Sequence, residues 1–343
     1  MTARSATLAL LAFFVATFAF FSFTAPRFAT PSNMENLMSG FSFVAILAIG
    51  QAFPLLLRGI DLSVGAIVAL AGMVVFDLTL IFAWPGPLVL LAALAVATLA
   101  GLLNGVLVVH LRLQPFIATL STLAAYRGLV YSISGRQLVP GLSTTPIRDP
   151  WITGLESYLD LGSVLGISDW ITLPWFPLSF FVMLAVLAAF HFLLGSTRFG
   201  RDLYTIGGNP EAARLAGIAT GRVTLLAYAI SGFCAGLAAL LLVARLTTAT
   251  EALGTGMEMS AIASAVIGGV SLAGGIGSVV GPVIGAFLLG TILVGLTLLG
   301  ISQFVQQILT GVILIAAVGY DRVLVVRRQR RLEANLGEEE AHP

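Results

Sequence analysis

The sequence predicts an all-α fold, a polytopic transmembrane helical bundle of about ten spans with both termini on one side and an internal repeat. Three observations carry that expectation. Of 343 residues, 58% are hydrophobic and only 10% are charged, whereas a soluble domain carries about 25% charged residues. Apolar runs of about twenty residues, the length needed to cross the hydrocarbon core, recur along the chain. Between them stand Gly, Pro and Arg, the punctuation of span ends.

In order, the runs cover residues 6–23, 40–57, 62–83, 87–109, 115–134, 172–194, 223–244, 258–271, 277–298 and 302–320. The first follows Arg4 without an A-x-A cleavage signature and reads as a retained span. The eighth is short and polar, as a tilted, broken or re-entrant helix would be. With the N-terminus inside, twelve arginines fall on the cytoplasmic side: Arg4, Arg58, Arg112, Arg198, Arg201, Arg214, Arg222, Arg322, Arg327, Arg328, Arg330 and Arg331. Four fall outside, Arg27, Arg136, Arg148 and Arg245, and Arg127 lies within a span. The positive-inside rule then puts both termini in the cytoplasm.

This gives a transmembrane domain at 1–321, containing a cytoplasmic segment at 197–222 and an external loop at 135–171, and a basic-then-acidic cytoplasmic tail at 322–343. The external loop carries Pro140, Pro146, Asp149, Pro150, Trp151, Glu156, Asp160, Asp169 and Trp170. It reads either as a surface for an extracytoplasmic partner or as a solvated connector with interfacial aromatics.

Several functions are excluded by what the chain lacks. It has no lysine, so it has no G-x-x-x-x-G-K-[ST] loop to cradle a nucleotide's phosphates. Cys234 is the only cysteine, which removes internal disulfides and Cys-rich metal sites. His110, His191 and His342 have no metal or protease spacing. No catalytic residue, metal or cofactor is expected. The arginines are scattered at segment ends rather than gathered in a stripe, so no nucleic-acid partner is expected either.

The segment at 197–222 is a charged island in an apolar chain. Asn209 suits a helix N-cap, Pro210 the first helical position, and Glu211 the positive end of the helix dipole. Ala212, Ala213, Arg214, Leu215 and Ala216 propagate the helix, and Gly217 can end it with positive φ. The island is either a handle for a soluble partner or an ordinary loop helix.

A second pattern is an echo. Gly59-Ile60-Asp61-Leu62-Ser63-Val64-Gly65 lines up with Gly269-Val270-Ser271-Leu272-Ala273-Gly274-Gly275, each between apolar spans. Transport proteins often arise from duplicated halves with glycine-interrupted segments, and coincidence among Gly-rich turns is the alternative. Gly59, Asp61, Gly65, Gly269 and Gly275 are read as structural turn residues. Gly277, Gly281 and Gly285 are expected on one face of the ninth span, packing within the chain or, as the alternative, between subunits.

Polar groups inside apolar runs must face protein or a water-filled route. They are Gln51, Asp77, Asn104, Gln114, Thr119, Tyr126, Arg127, Glu258, Gln303, Gln306 and Gln307. Gln51, Asn104, Thr119, Tyr126, Arg127, Gln303 and Gln306 are candidates for a translocation path, against the alternative of bonds between helices. Asp61 either caps the third span, with Arg58 as an ion-pair or headgroup contact, or carries an ion. Capping is favoured because Leu62 begins the apolar helix.

Three segments together give the chain a family likeness: Gly59 to Gly65, Pro115-Phe116-Ile117-Ala118-Thr119-Leu120 with Arg127-Gly128, and Gly208-Asn209-Pro210-Glu211-Ala212-Ala213 with Gly217. They resemble the permease subunits of bacterial ABC sugar importers of the ribose and galactofuranose type, over nearly the full chain. The resemblance implies a multi-pass protein of the bacterial inner membrane, importing a pentose or hexose. It implies partners too: cytoplasmic ATPase subunits, a periplasmic sugar-binding protein, and a second permease subunit, identical or paralogous, all in membrane lipid. Asn209, Pro210, Glu211, Ala212, Ala213, Arg214 and Gly217 then form the ATPase-coupling segment, Glu211, Ala212, Ala213 and Gly217 matching the family's E-A-A…G pattern. Arg58 departs from the glycine usual before the Gly-Ile-Asp motif, which leaves open whether the turn is as tight here. The alternatives are an ion-coupled secondary transporter using Asp61, Asp77 or Glu258, and a membrane scaffold without transport.

Overall fold

The computed structural model describes residues 3–134, 145–159 and 176–341, and these are almost wholly helical. Arg136, Pro140, Asp160, Asp169, Trp170 and His342 lie outside the described residues. In chain order the helices are α1 (Ala3–Thr24), α2 (Pro31–Leu56), α3 (Val64–Leu80), α4 (Gly86–Val109), α5 (Pro115–Ser134), α6 (Pro150–Thr153), α7 (Leu178–Ser196), α8 (Arg198–Gly208), α9 (Pro210–Leu215), α10 (Thr220–Leu246), α11 (Met257–Ile267), α12 (Val280–Leu298) and α13 (Gln303–Ala341). A two-residue antiparallel ladder joins β1 (Tyr158–Leu159) to β2 (Phe176–Pro177), with Tyr158 opposite Pro177.

Among the described residues, α1, α2, α4, α5, α7, α10 and α12 are the seven helices long and apolar enough to cross a membrane, while α3, α11 and residues 303–319 of α13 are shorter apolar helices. Each expected span overlaps one of these helices, but the bounds move where local chemistry decides. Helix α2 begins at Pro31 rather than residue 40, because Thr30 Oγ1 accepts from Asn33 N at 3.4 Å and Pro31 takes the first turn. Helix α3 starts two residues late, after a turn held by Asp61. Gly277 precedes α12 and so does not share its face with Gly281 and Gly285. Helix α13 runs unbroken through residue 322, where a separate tail was expected.

The centre is built by α2, α3 and α10. Helix α2 buries 83% of its most apolar window and α10 buries 72%, against 6% for α1. Helices α4 and α10 cross at glycine: a Cβ on Gly101 would strike the Tyr228 carbonyl and the backbone of Gly232. Small residues let the backbones approach, which is how helices gain packing energy in lipid. Helices α11 and α12 meet in the same way, Gly281 against Gly268 and Gly285 against Ser264, so this glycine face is used within the chain. Outward-facing Phe13, Phe20, Leu91, Leu99, Phe116, Phe192 and Ile315 leave an apolar periphery fit for acyl chains.

At the N-terminal end of α2, Arg245 at the close of α10 donates to Ser39 Oγ and to Glu156 Oε1, the latter at 3.2 Å. Asn36 Oδ1 also accepts from this guanidinium, at 3.3 Å. The described part of the 135–171 loop is thus tied to two central helices at the far end of the bundle from the site below.

Candidate functional site

The island at 197–222 folds as two helices joined by an elbow. Thr197 Oγ1 accepts from Gly200 N at 3.3 Å to start α8, which buries Gly200, Leu203, Ile206 and Gly207 against the bundle. Asn209 then does two jobs. Its N–H donates to Thr205 O at 3.0 Å to close α8, and its Oδ1 accepts from Glu211 N and Ala212 N, both at 3.1 Å, to open α9. Within α9 only Ala213 is buried. Pro210, Glu211, Ala212 and Arg214 face out, and Leu215 is 80% exposed. The Glu211–Arg214 pair at 2.7 Å is itself exposed, so it contributes no more than about 0.5 kcal/mol.

Helix α9 ends when Gly217 turns to φ +77°, Gly217 N donating to Arg214 O at 3.0 Å and Ile218 N to Ala213 O at 3.1 Å. This is the Schellman pattern, whose left-handed position favours glycine. Helix α2 ends the same way with Arg58 at that position: φ is +63°, Arg58 N donates to Leu55 O at 2.9 Å, and Gly59 N to Pro54 O at 2.8 Å. The turn is therefore as tight as a glycine would make it. An L-residue there costs about 1–2 kcal/mol. The side chain offers a compensating gain, since Arg58 Nε donates to Gly207 O at 2.9 Å and an Nη to Gly208 O at 2.6 Å. Arg58 is thus bound to the elbow, not to Asp61 as an ion pair.

Helix α11 repeats the ending, with Gly269 at φ +86°, Gly269 N donating to Val266 O and Val270 N to Ala265 O. By backbone geometry Arg58, not Gly59, is the counterpart of Gly269, one residue off the register of the sequence echo. The two turns also touch. Gly275 N donates to Leu56 O at 2.9 Å, and Gly274 lies on the Arg58 side chain. Gly207 sits against Leu56 O and Gly275 so closely that no Cβ fits there. Tyr204 OH donates to Gly277 O at 2.8 Å, and burial pushes its phenol pKa up, keeping it a neutral donor. Both glycine turns and the elbow of the island therefore meet at one corner.

Directly behind that corner lies a buried polar cluster. Asp61 Oδ1 accepts from Ser63 N at 3.0 Å, Ser63 Oγ at 2.7 Å and Asn104 Nδ2 at 3.3 Å, and its Oδ2 accepts from Ser231 Oγ at 2.9 Å. Asn104 Nδ2 also donates to Ser63 Oγ at 2.7 Å, and Thr122 Oγ1 donates to Asn104 Oδ1 at 2.6 Å. With its side-chain amide oriented to satisfy both ends, Gln51 bonds the Asp61 N–H at 3.0 Å and the Asp61 C=O at 3.2 Å. Helices α4 and α10 thereby bond one wholly buried carboxylate directly, α5 joins it through Asn104, and α2 holds the Asp61 backbone. Asp61 sits ahead of the N-cap, which is Ser63, and holds Ser63 by an Asx-type turn.

The remaining candidates are placed as follows. Thr119 Oγ1 donates to Ile60 O at 2.9 Å, and Tyr126 OH to Ala100 O at 2.8 Å. Arg127 is anchored elsewhere, one Nη donating to Glu251 O at 2.8 Å and Leu253 O at 2.9 Å. Gln306 Nε2 donates to Thr297 Oγ1 at 3.0 Å and Ile301 O at 2.9 Å, while Gln303 is exposed on α13. Gly65 packs on the Glu258 carboxylate and Gly254 O. Gln51, Asn104, Thr119 and the Asp61 turn form one neighbourhood; Tyr126, Arg127 and Gln306 bond other parts of the chain, and Gln303 lies exposed on α13.

Sequence reasoning passed over Ser63, Thr122, Ser231 and the link made by Arg58. A signal existed for the first, since Ser two places after Asp is an Asx-turn pattern. Ser231 and Thr122 are small hydroxyl residues in apolar runs, where they most often bond their own helix backbone.

The fold and the site are those of a multi-pass helical membrane protein with an exterior helical elbow. The chain belongs to the family described as branched-chain amino acid transport system / permease component, whose model matches residues 33–318. Among its relatives, the ribose import permease protein of Escherichia coli strain K12 is 37% identical over 298 residues, covering 86% of this chain and 87% of that one. The D-allose transport system permease protein of the same strain is 36% identical over 315 residues, 92% and 90% of the two chains. The galactose/methyl galactoside import permease protein of that strain is 34% identical over 323 residues, 90% and 91%. No solved structure matches this chain.

Proposed function

We propose that this chain is the membrane-spanning permease of an ATP-driven, binding-protein-dependent importer that carries a pentose or hexose across the bacterial inner membrane. The observation that supports it most is α9: a capped helix outside the apolar spans, presenting Ala212, Leu215 and Ala216 to solvent and anchored at the corner where both glycine turns meet. An exposed apolar helix end fixed to the bundle suits a docking handle for a cytoplasmic ATPase. The chain, without lysine, brings no phosphate-binding loop of its own. The relatives named for ribose, D-allose and galactose import favour a sugar over the branched-chain amino acids of the family's description.

In this reading both termini and residues 197–222 face the cytoplasm, the 135–171 loop receives a sugar-binding protein, and the pore is completed by a second permease, identical or paralogous. The two glycine turns descend from a duplication in this reading, supported by the match of residues 59–65 to residues 269–275 in sequence. ATP binding closes the ATPase pair, α9 moves with it, and the bundle shifts from inward-facing to outward-facing. Such a shift requires that the ATPase contact the two states differently. The test is uptake of labelled ribose, allose, galactose and galactofuranose by cells expressing the chain with its neighbouring ATPase and binding protein, with leucine in parallel. Uptake of one sugar that stops when the ATPase is inactivated supports the reading. Uptake of leucine alone, or sugar uptake driven by an ion gradient with the ATPase inactive, overturns it.

A further inference from the structure

Four helices in the described chain, α2, α9, α11 and α12, end in the same hydrogen-bond pattern, the residue after the cap bonding three back and the next bonding five back. Three of them place glycine at the left-handed position: Gly217, Gly269 and Gly300. The fourth places Arg58 there, so at that one site the sequence accepts backbone strain to keep a long cationic side chain. What that side chain does is visible. Its two bonds go to Gly207 O and Gly208 O, carbonyls at the C-terminal end of α8, which the helix itself leaves without partners and where the helix dipole favours a cation.

The next residue, Asn209, sets the direction of α9. Three residues the other way from Arg58, Asp61 gathers α4, α10 and, through Asn104, α5. Arg58 therefore stands between the elbow that aims α9 and the buried cluster that ties the central helices. Gly274 packs on its stem, so the second glycine turn holds the same side chain in place.

We propose that Arg58 is a positioning residue for coupling: a strut that transmits displacement of the α8–α9 elbow into the Asp61 turn, and so converts ATPase closure into opening of the bundle. This rests on the functional reading above. It concerns a residue outside the docking helix, and it requires no contact between Arg58 and either the ATPase or the sugar.

The test compares the whole importer with Arg58→Gly, Arg58→Lys and Arg58→Gln versions. Glycine adopts the left-handed conformation freely, so Arg58→Gly keeps the turn while removing the strut. The amount of chain in membranes and the ATPase recovered with it should match wild type. Sugar carried per ATP hydrolysed should fall by about tenfold, within the usual range of coupling between sites. Arg58→Lys should recover part of that loss and Arg58→Gln less, and amide exchange at Gly208 and Asn209 should quicken in Arg58→Gly alone. Wild-type stoichiometry in Arg58→Gly overturns the proposal. So does a loss in Arg58→Gly fully explained by reduced chain in the membrane, with Arg58→Lys and Arg58→Gln normal per molecule. If wild-type chain recovers no ATPase and moves no sugar, the functional reading fails instead, independently of Arg58.

Discussion

Ser231 Oγ donates to Asp61 Oδ2 at 2.9 Å, joining the middle of α10 to the turn before α3. Asp61 is wholly buried, so its four donor contacts stand in for water. Asp61→Ala strands the Ser231 hydroxyl and the Ser63 amide, each worth about 1–3 kcal/mol when left unpaired, while Asn104 keeps its bonds to Ser63 and Thr122. The detergent-solubilised protein should lose about 2–6 kcal/mol, the sum for two buried groups left unpaired. Asp61→Asn keeps one acceptor oxygen, and the Ser231 hydroxyl can rotate to accept from the new amide. It should cost only about 1–2 kcal/mol and retain uptake. A carrier of protons or sodium would behave otherwise, losing transport in Asp61→Asn at full expression, so uptake by this variant separates a structural carboxylate from the ion-coupled alternative.

The crossing of α4 and α10 sets a second expectation. A Cβ on Gly101 meets the Tyr228 carbonyl and Gly232, which are backbone and have nowhere to move. Gly101→Val should lower stability by about 1–3 kcal/mol through overpacking. Gly128 on α5 has open space where its Cβ would be, and Gly128→Ala should raise stability by about 0.5–1 kcal/mol through helix entropy alone. Thermal unfolding of the two variants in the same detergent checks both, and equal shifts would contradict the crossing.

Much of this was legible in the sequence because hydropathy and local capping act over short distances. Asn209, Pro210 and Gly217 occupy the cap, first-turn and left-handed positions that their chemistry suggests. The turn at Gly59 to Gly65 could be placed, but its partners could not. Ser231 lies 170 residues from Asp61, and Gly208 lies 150 from Arg58. Nothing in an apolar run marks which small hydroxyl will face a distant carboxylate. Nearness in sequence offers Arg58 as an ion-pair or headgroup contact beside Asp61, whereas its side chain reaches the elbow instead. The sequence echo pairs Gly59 with Gly269, one residue out of backbone register, because matching letters do not reveal the hydrogen-bond pattern that Arg58 and Gly269 both satisfy.

At the other end of α2, Arg245 and Glu156 form a partly buried pair, 27% and 14% exposed, with Ser39 and Asn36 around it. Removing one partner of this pair costs more than removing one from the exposed Glu211–Arg214 pair, because a partly buried charge is then left unpaired. Arg245→Ala and Glu156→Ala should each cost about 1–3 kcal/mol by leaving a partner unpaired. The double variant should cost less than their sum by about 1 kcal/mol, the signature of coupled neighbours. Additive losses would show that the pair does not hold the loop to α2 and α10.

Helix α9 yields the prediction most tied to function. Glu211 and Leu215 face solvent and contribute little to the fold, so Glu211→Ala and Leu215→Asp should change stability by no more than about 0.5 kcal/mol. Ala213 is the buried residue of the same turn of helix, and Ala213→Leu should destabilise by about 1–3 kcal/mol. If α9 docks an ATPase, the first two variants should lose recovery of that subunit on purification from membranes, because an exposed apolar anchor near an interface centre commonly carries over 1 kcal/mol of binding. The comparison is internal: stability and docking respond to opposite faces of one six-residue helix. Full ATPase recovery with Leu215→Asp would remove Leu215 from the contact and shift the docking surface onto α8, where Arg198 and Arg201 are exposed.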